Sequence, residues 1–77
     1  MKLTYSDESW TRVEIEGGKI KVEETVPGGE IRTYDGTSFS VRVGNGGAVS
    51  LVAFGEDRGI LGVAGQVVDL NLDINEP

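Results

Sequence analysis

The residues of this 77-residue chain best suited to chemistry are its acids, which fall into two patterns. The pairs Asp7–Glu8, Glu23–Glu24 and Glu56–Asp57 could each offer two carboxylates to an acid–base reaction, and Asp69, Asn71 and Asp73 open like a calcium loop. Neither pattern is completed. The carboxylate pairs lie in turn-like or exposed settings, where surface charge is the default. A calcium loop needs glycine at its sixth position, where Ile74 stands, and glutamate at its twelfth, which would fall beyond Pro77. The alternation of Asp69, Asn71, Asp73 and Asn75 with Leu70, Leu72 and Ile74 instead reads as the polar face of a half-buried strand. Histidine and cysteine are both absent, which removes the commonest general base, the commonest metal ligand and any thiolate or disulfide. The expectation is a non-enzymatic protein with no catalytic, cofactor-binding or metal-binding residues.

Two further features could serve binding. The segment Gly44-Asn45-Gly46-Gly47 could cradle a phosphate, but such cradles feed into a helix N-terminus, and here a second strand follows. Phe39, Val41 and Val43 alternate with Ser40 and Arg42 before it, and Val49 and Leu51 resume the pattern after it. The spacing predicts a hairpin whose turn is Gly44, Asn45, Gly46 and Gly47, with positive φ at one or more of its glycines. Trp10 is the second feature. Strict alternation places it with Arg12, Glu14 and Glu16, opposite Val13 and Ile15. The favoured reading is a bulge or strand entry that tucks the ring over the open end of the core; the functional one is a flat aromatic platform for a sugar or a partner protein.

Composition limits the partners. Thirteen acids against seven basic residues give a formal charge of −6, and the Lys and Arg side chains are dispersed along the chain without interleaved aromatics. Nucleic-acid binding is therefore disfavoured. No apolar run approaches the roughly 20 residues of a membrane-spanning helix, and no signal-peptide pattern is present, so the chain as given is expected to be soluble.

The elements that must position these residues are short. Twelve glycines punctuate the chain at strand-length intervals. The runs 2–5, 10–16, 19–25, 30–34, 39–43, 48–54 and 66–74 are rich in Val, Ile, Thr and aromatics. This predicts an all-β fold, a small, mainly antiparallel β-sandwich of about seven short strands with no helix beyond a turn at Ser6 to Ser9. Gly17-Gly18 is expected to close a two-residue hairpin turn, bringing Glu14 and Glu16 near Lys19 and Lys21. The core is expected to hold Leu3, Tyr5, Val13, Ile15, Ile20, Val22, Ile31, Phe39, Val41, Val43, Val49, Leu51, Val68, Leu70 and Leu72. Val52 and Phe54 alternate out of phase with this set, which marks a strand covered on both sides or an apolar surface patch. A sandwich of this size fills its interior with its own side chains, so binding is expected on an exposed face or edge. The candidate interaction residues are Trp10 with Arg12, and Phe54 with Arg58 in the turn 55–59, each an aromatic beside a guanidinium.

The order of these pieces resembles the C-terminal extracytoplasmic domain of RodZ-like bacterial cell-shape proteins. The resemblance rests on Ser9-Trp10-Thr11-Arg12-Val13 opening the second strand, the Gly29-Glu30 turn, the Phe39-led strand ending in Gly44-Asn45, and Leu61-Gly62-Val63-Ala64-Gly65-Gln66-Val67-Val68 near the end. Ser38 and Gly46 depart from it, standing where proline and the alanine of Gly-Asn-Ala are usual. It implies a single domain over residues 1–77, with 1–2 and 75–77 frayed or added, excised from a single-pass membrane protein. It further implies a cytoplasmic helix-turn-helix domain, a membrane helix and a linker upstream, with any MreB contact belonging to that cytoplasmic part. The implied function is a non-catalytic module outside the membrane that coordinates wall synthesis with cell shape, its partners being proteins of the wall-synthesis machinery. The alternative is a carbohydrate-binding domain that contacts peptidoglycan.

Overall fold

The computed structural model describes residues 1–74, so Asn75 and the expected C-terminal fraying at 75–77 lie outside the described residues. Within that span, eight strands form two four-stranded antiparallel sheets packed face to face. The chain runs through β1 (Lys2–Tyr5), β2 (Ser9–Ile15), β3 (Ile20–Val26), β4 (Ile31–Thr33), β5 (Ser38–Val43), β6 (Val49–Ala53), β7 (Glu56–Ile60) and β8 (Val68–Asp73). The first sheet has the order β4-β1-β6-β7 and the second β3-β2-β5-β8. The expected sandwich is present with one strand more than the glycine spacing indicated. The extra strand is β7, read in the sequence as a turn. Its register slips between Leu51 and Val52, leaving Arg58 as the unpaired residue of a bulge, and Gly59 follows at φ 70°. The bulge erases the period-two pattern that betrays a strand. Lys2, expected at a frayed end, pairs with both Thr33 and Val52.

Alternation fills the core. Leu3 and Tyr5 from β1, Val13 and Ile15 from β2, Phe39, Val41 and Val43 from β5, and Val49 and Leu51 from β6 are all buried between the sheets. Two polar side chains, Ser9 and Thr11, join them, and the Tyr5 and Thr11 hydroxyls lie 2.7 Å apart and satisfy each other, as buried hydroxyls must. Burial pushes the Tyr5 phenol above its ordinary pKa, and it does the same to Tyr34. Val26, Ala48 and Ala53 complete the core beyond the expected set.

Ile20 and Ile31 correct that set, since each is 53% exposed. Ile20 opens an edge strand beside a turn. Ile31 is excluded by its phase, because Arg32 pairs with the inward-facing Leu3 and takes the inner side of β4. There the Arg32 guanidinium reaches Glu24 at 3.2 Å, joining the two sheets along their open β3/β4 edge.

The segment 44–47 is not a hairpin turn. β5 lies in the second sheet and β6 in the first, so the segment carries the chain across the sandwich, with one 3₁₀ turn at Gly46–Ala48. Positive φ occurs at six other glycines, and Gly44, Gly46 and Gly47 are not among them. Crowding is what requires glycine here. A Cβ on Gly47 would stand 2.4 Å from the Ala64 nitrogen, and one on Gly46 would stand 3.2 Å from the Gly62 backbone and 2.6 Å from Val68 Cγ2. The loop between β7 and β8 is stitched onto this turn by Gly46 N–H to Gln66 O (2.8 Å), Gly47 N–H to Val63 O (3.0 Å) and Gly62 N–H to Gly46 O (3.1 Å). Asn45 completes the junction, accepting from Gly65 N–H at 2.8 Å and donating its side-chain amide to Glu8 O at 3.3 Å.

The β2–β3 turn is also wider than expected. The last pair is Ile15 with Ile20, so Glu16 leaves the strand at φ 54° and its carboxylate accepts Thr37 N–H, Thr37 Oγ1–H (2.9 Å) and Ser38 N–H (3.2 Å). These bonds, the Thr37 backbone first, hold the Glu16 carboxyl below its usual pKa.

Candidate functional site

The outer face of the second sheet gathers the polar residues that alternation turns away from the core. Register sets them in rows across the strands. Thr25 stands opposite Trp10, and Trp10 faces Gly44, whose N–H donates to Trp10 O at 2.8 Å. The next row reads Glu23, Arg12, Arg42, Asp69, and the one after it Lys21, Glu14, Ser40, Asn71. In the last of these Ser40 Oγ donates to Asn71 Oδ1 at 2.7 Å.

Trp10 therefore occupies a regular strand position, not a bulge. Its neighbours Ser9 and Thr11 point inward and are buried, while Trp10 itself is partly exposed on the outer face. A Cβ added at Gly44 would lie 3.5 Å from Trp10 Cβ, an ordinary contact, so the fold does not require glycine there, and no side chain stands opposite the tryptophan across the β2/β5 pair. The strand reading of Asp69, Asn71 and Asp73 fits their places along β8.

The middle row is electrostatically unusual. Two arginines are direct cross-strand partners, and like charges at such positions repel. Arg42 Nε meets Asp69 Oδ1 at 3.5 Å, with both side chains substantially exposed. Arg12 has no hydrogen-bond or ion-pair partner among the described residues. A shallow cleft of about 50 Å³ lies between this row and the next one away from Trp10, its wall formed by Arg12, Arg42, Glu14, Ser40, Asp69 and Asn71. An open face with unsatisfied planar donors and an aromatic can hold a ligand by hydrogen bonds and stacking.

The structure divides the four expected interaction residues into two places. Trp10 and Arg12 share the outer face of β2. Phe54 and Arg58 lie in the other sheet, on the hairpin joining β6 to β7. Phe54 and Gly55 both take positive φ, 52° and 75°, as a tight two-residue turn between Ala53 and Glu56 requires. The Phe54 ring then leans over Phe39, with centroids 5.9 Å apart, and covers the end of the core away from Trp10. Sequence reasoning missed Arg42. Its outward phase was visible, but its position opposite Arg12 follows from the β2/β5 register, which joins residues 30 positions apart and has no local signature.

Comparison with known proteins adds one finding. No curated protein and no solved structure matches the chain. Residues 2–71 match the family model described as the RodZ C-terminal domain.

Proposed function

The chain belongs to the RodZ C-terminal domain family, which supports a RodZ-like role in cell shape, and from that premise we propose that it is a non-catalytic interaction module acting outside the bacterial cell membrane. It would be carried there by a longer single-pass protein and would engage protein components of the wall-synthesis machinery. The observation behind this reading is the partly exposed Trp10 beside the unpartnered Arg12 on a regular strand, since tryptophan and arginine are the residue types most enriched at binding hot spots. The test is Trp10→Ala with Arg12→Ala in the longer protein. Cell shape should be impaired while the domain stays folded, and normal shape with a folded domain would remove this face as the site.

A second reading is favoured by the pairing of Trp10 with Gly44, which sets no side chain opposite the tryptophan. An aromatic with free space over a glycine is suited to a sugar ring, which makes peptidoglycan glycan the alternative ligand. Titration with soluble wall fragments separates the two readings: saturable changes at Trp10 support the sugar, and their absence leaves the protein partner.

A further inference from the structure

We propose that the Trp10–Gly44 shelf and the Arg12–Arg42 pair form one subsite for a saccharide bearing a carboxylate, the ring resting on Trp10 and the carboxylate lying between the two guanidiniums. This deepens the saccharide reading of the same face and rests on it.

Trp10 and Gly44 form a hydrogen-bonded pair, so Arg12 and Arg42, two residues further along, form the next one, with Cα atoms about 5.5 Å apart. Their acidic neighbours in the row stand at its ends, Glu23 beyond Arg12 and Asp69 beyond Arg42, and Glu14 lines the cleft from the next row, on the side away from Trp10. The order along the row is thus negative, positive, positive, negative, with no carboxylate in its middle position. Arg42 uses Nε toward Asp69, and Arg12 uses none of its donors toward any described residue. A guanidinium presents five N–H donors in a planar fork that fits a carboxylate. An anion between these two would relieve the like-charge opposition and take up donors that are otherwise left to water.

The ligand class follows from the adjoining row. Trp10 lies two residues from Arg12 on the same face, and Gly44 two residues from Arg42, a separation of about 7 Å along the strands. A pyranose ring over the tryptophan, extended on the Gly44 side where no side chain intervenes, would carry an exocyclic carboxylate toward the arginines. A neutral sugar would use only the first row. A free anion would use only the second, and on a chain of net charge −6 it would gain little from the overall field.

Trp10 is the chain's single tryptophan, so its fluorescence reports directly on the subsite. The probes are a galacturonic acid trisaccharide, its methyl ester, and an acidic tripeptide of equal charge. The acid saccharide should quench or shift Trp10 saturably and bind at least tenfold more tightly than its ester. Arg12→Gln and Arg42→Gln, with the fold checked by circular dichroism, should each weaken acid binding several-fold and bring acid and ester closer together. Lys21→Gln, on the same face but away from the pair, should leave the preference intact. Equal binding of acid and ester would overturn the carboxylate subsite while preserving the saccharide reading. Absence of saccharide binding would overturn both, and tighter binding of the tripeptide would overturn the saccharide assignment. An equal loss on Lys21→Gln would show diffuse charge in place of a paired site.

Discussion

The junction at residues 45–47 and the outer face around Trp10, Arg12, Arg42 and Gly44 meet at adjacent residues of the chain, yet opposite constraints shape them. In the junction each glycine is fixed by what surrounds it: a side chain at Gly47 would collide with the Val63–Ala64 backbone, and one at Gly46 would meet the Val68 side chain and crowd the Gly62 backbone. At Gly44, one residue earlier, an added Cβ meets only ordinary contacts, and the missing side chain leaves room beside Trp10. One residue type serves close packing in the first place and an open surface in the second. The comparison separates residues whose loss unfolds the domain from residues whose loss affects only what it binds.

The largest effect is expected on the closed side. Phe39 is buried at the end of the core, and Phe39→Ala should cost about 3–5 kcal/mol, which for so small a domain approaches its whole stability. Phe54→Ala, which removes only the partly exposed partner of that aromatic pair, should cost about 1 kcal/mol. Denaturant unfolding followed by circular dichroism measures both, and equal losses would erase the distinction between buried and covering aromatic.

Within the glycine segment the contrast is sharper. Gly47→Val should destabilise by about 3 kcal/mol or more because its branched side chain meets backbone atoms that cannot rotate away. Gly44→Ala should stay within about 1 kcal/mol of the parent, since its φ is not positive and its neighbours leave space. Melting curves for the two variants decide the matter, and equal destabilisation would mean that crowding does not set the segment.

A smaller effect concerns acid. The folded-state pKa of Glu16 lies below its unfolded value, so its contribution to stability is present above the ordinary glutamate range, near pH 4.3, and is lost as pH falls through the folded pKa. Glu16→Gln should therefore flatten the decline of stability below about pH 4.3 and leave the response of the outer face unchanged. An acid profile identical to the parent's would show that the Thr37–Ser38 clamp contributes nothing.

How legible all this was in the sequence depends on the range of the interactions involved. The strands β1 to β6 and β8 could be read because apolar residues such as Leu3, Val13, Phe39 and Leu51 repeat at period two and glycines bound each run, 30–34 around β4 included. β7 could not, because the bulge at Arg58 and the glycine after it break the period. Gly44 to Gly47 were misread because a glycine required by crowding and one required by positive φ look alike in sequence. Of the outer face, Trp10 and Arg12 were visible from alternation. Their juxtaposition with Arg42 and Gly44 follows from pairing between distant strands, which only the fold supplies.

The central claim is that Trp10 and Arg12 belong to a surface the fold does not need. Equilibrium denaturation of the Trp10→Ala, Arg12→Ala double variant, followed by far-ultraviolet circular dichroism, tests it most directly. The expected result is a cooperative transition with a stability loss of no more than about 2 kcal/mol, the cost of removing a half-buried aromatic from the outer face of a sheet. A loss of about 3 kcal/mol or more, or an unfolded variant, would place Trp10 in the structural core and contradict the claim.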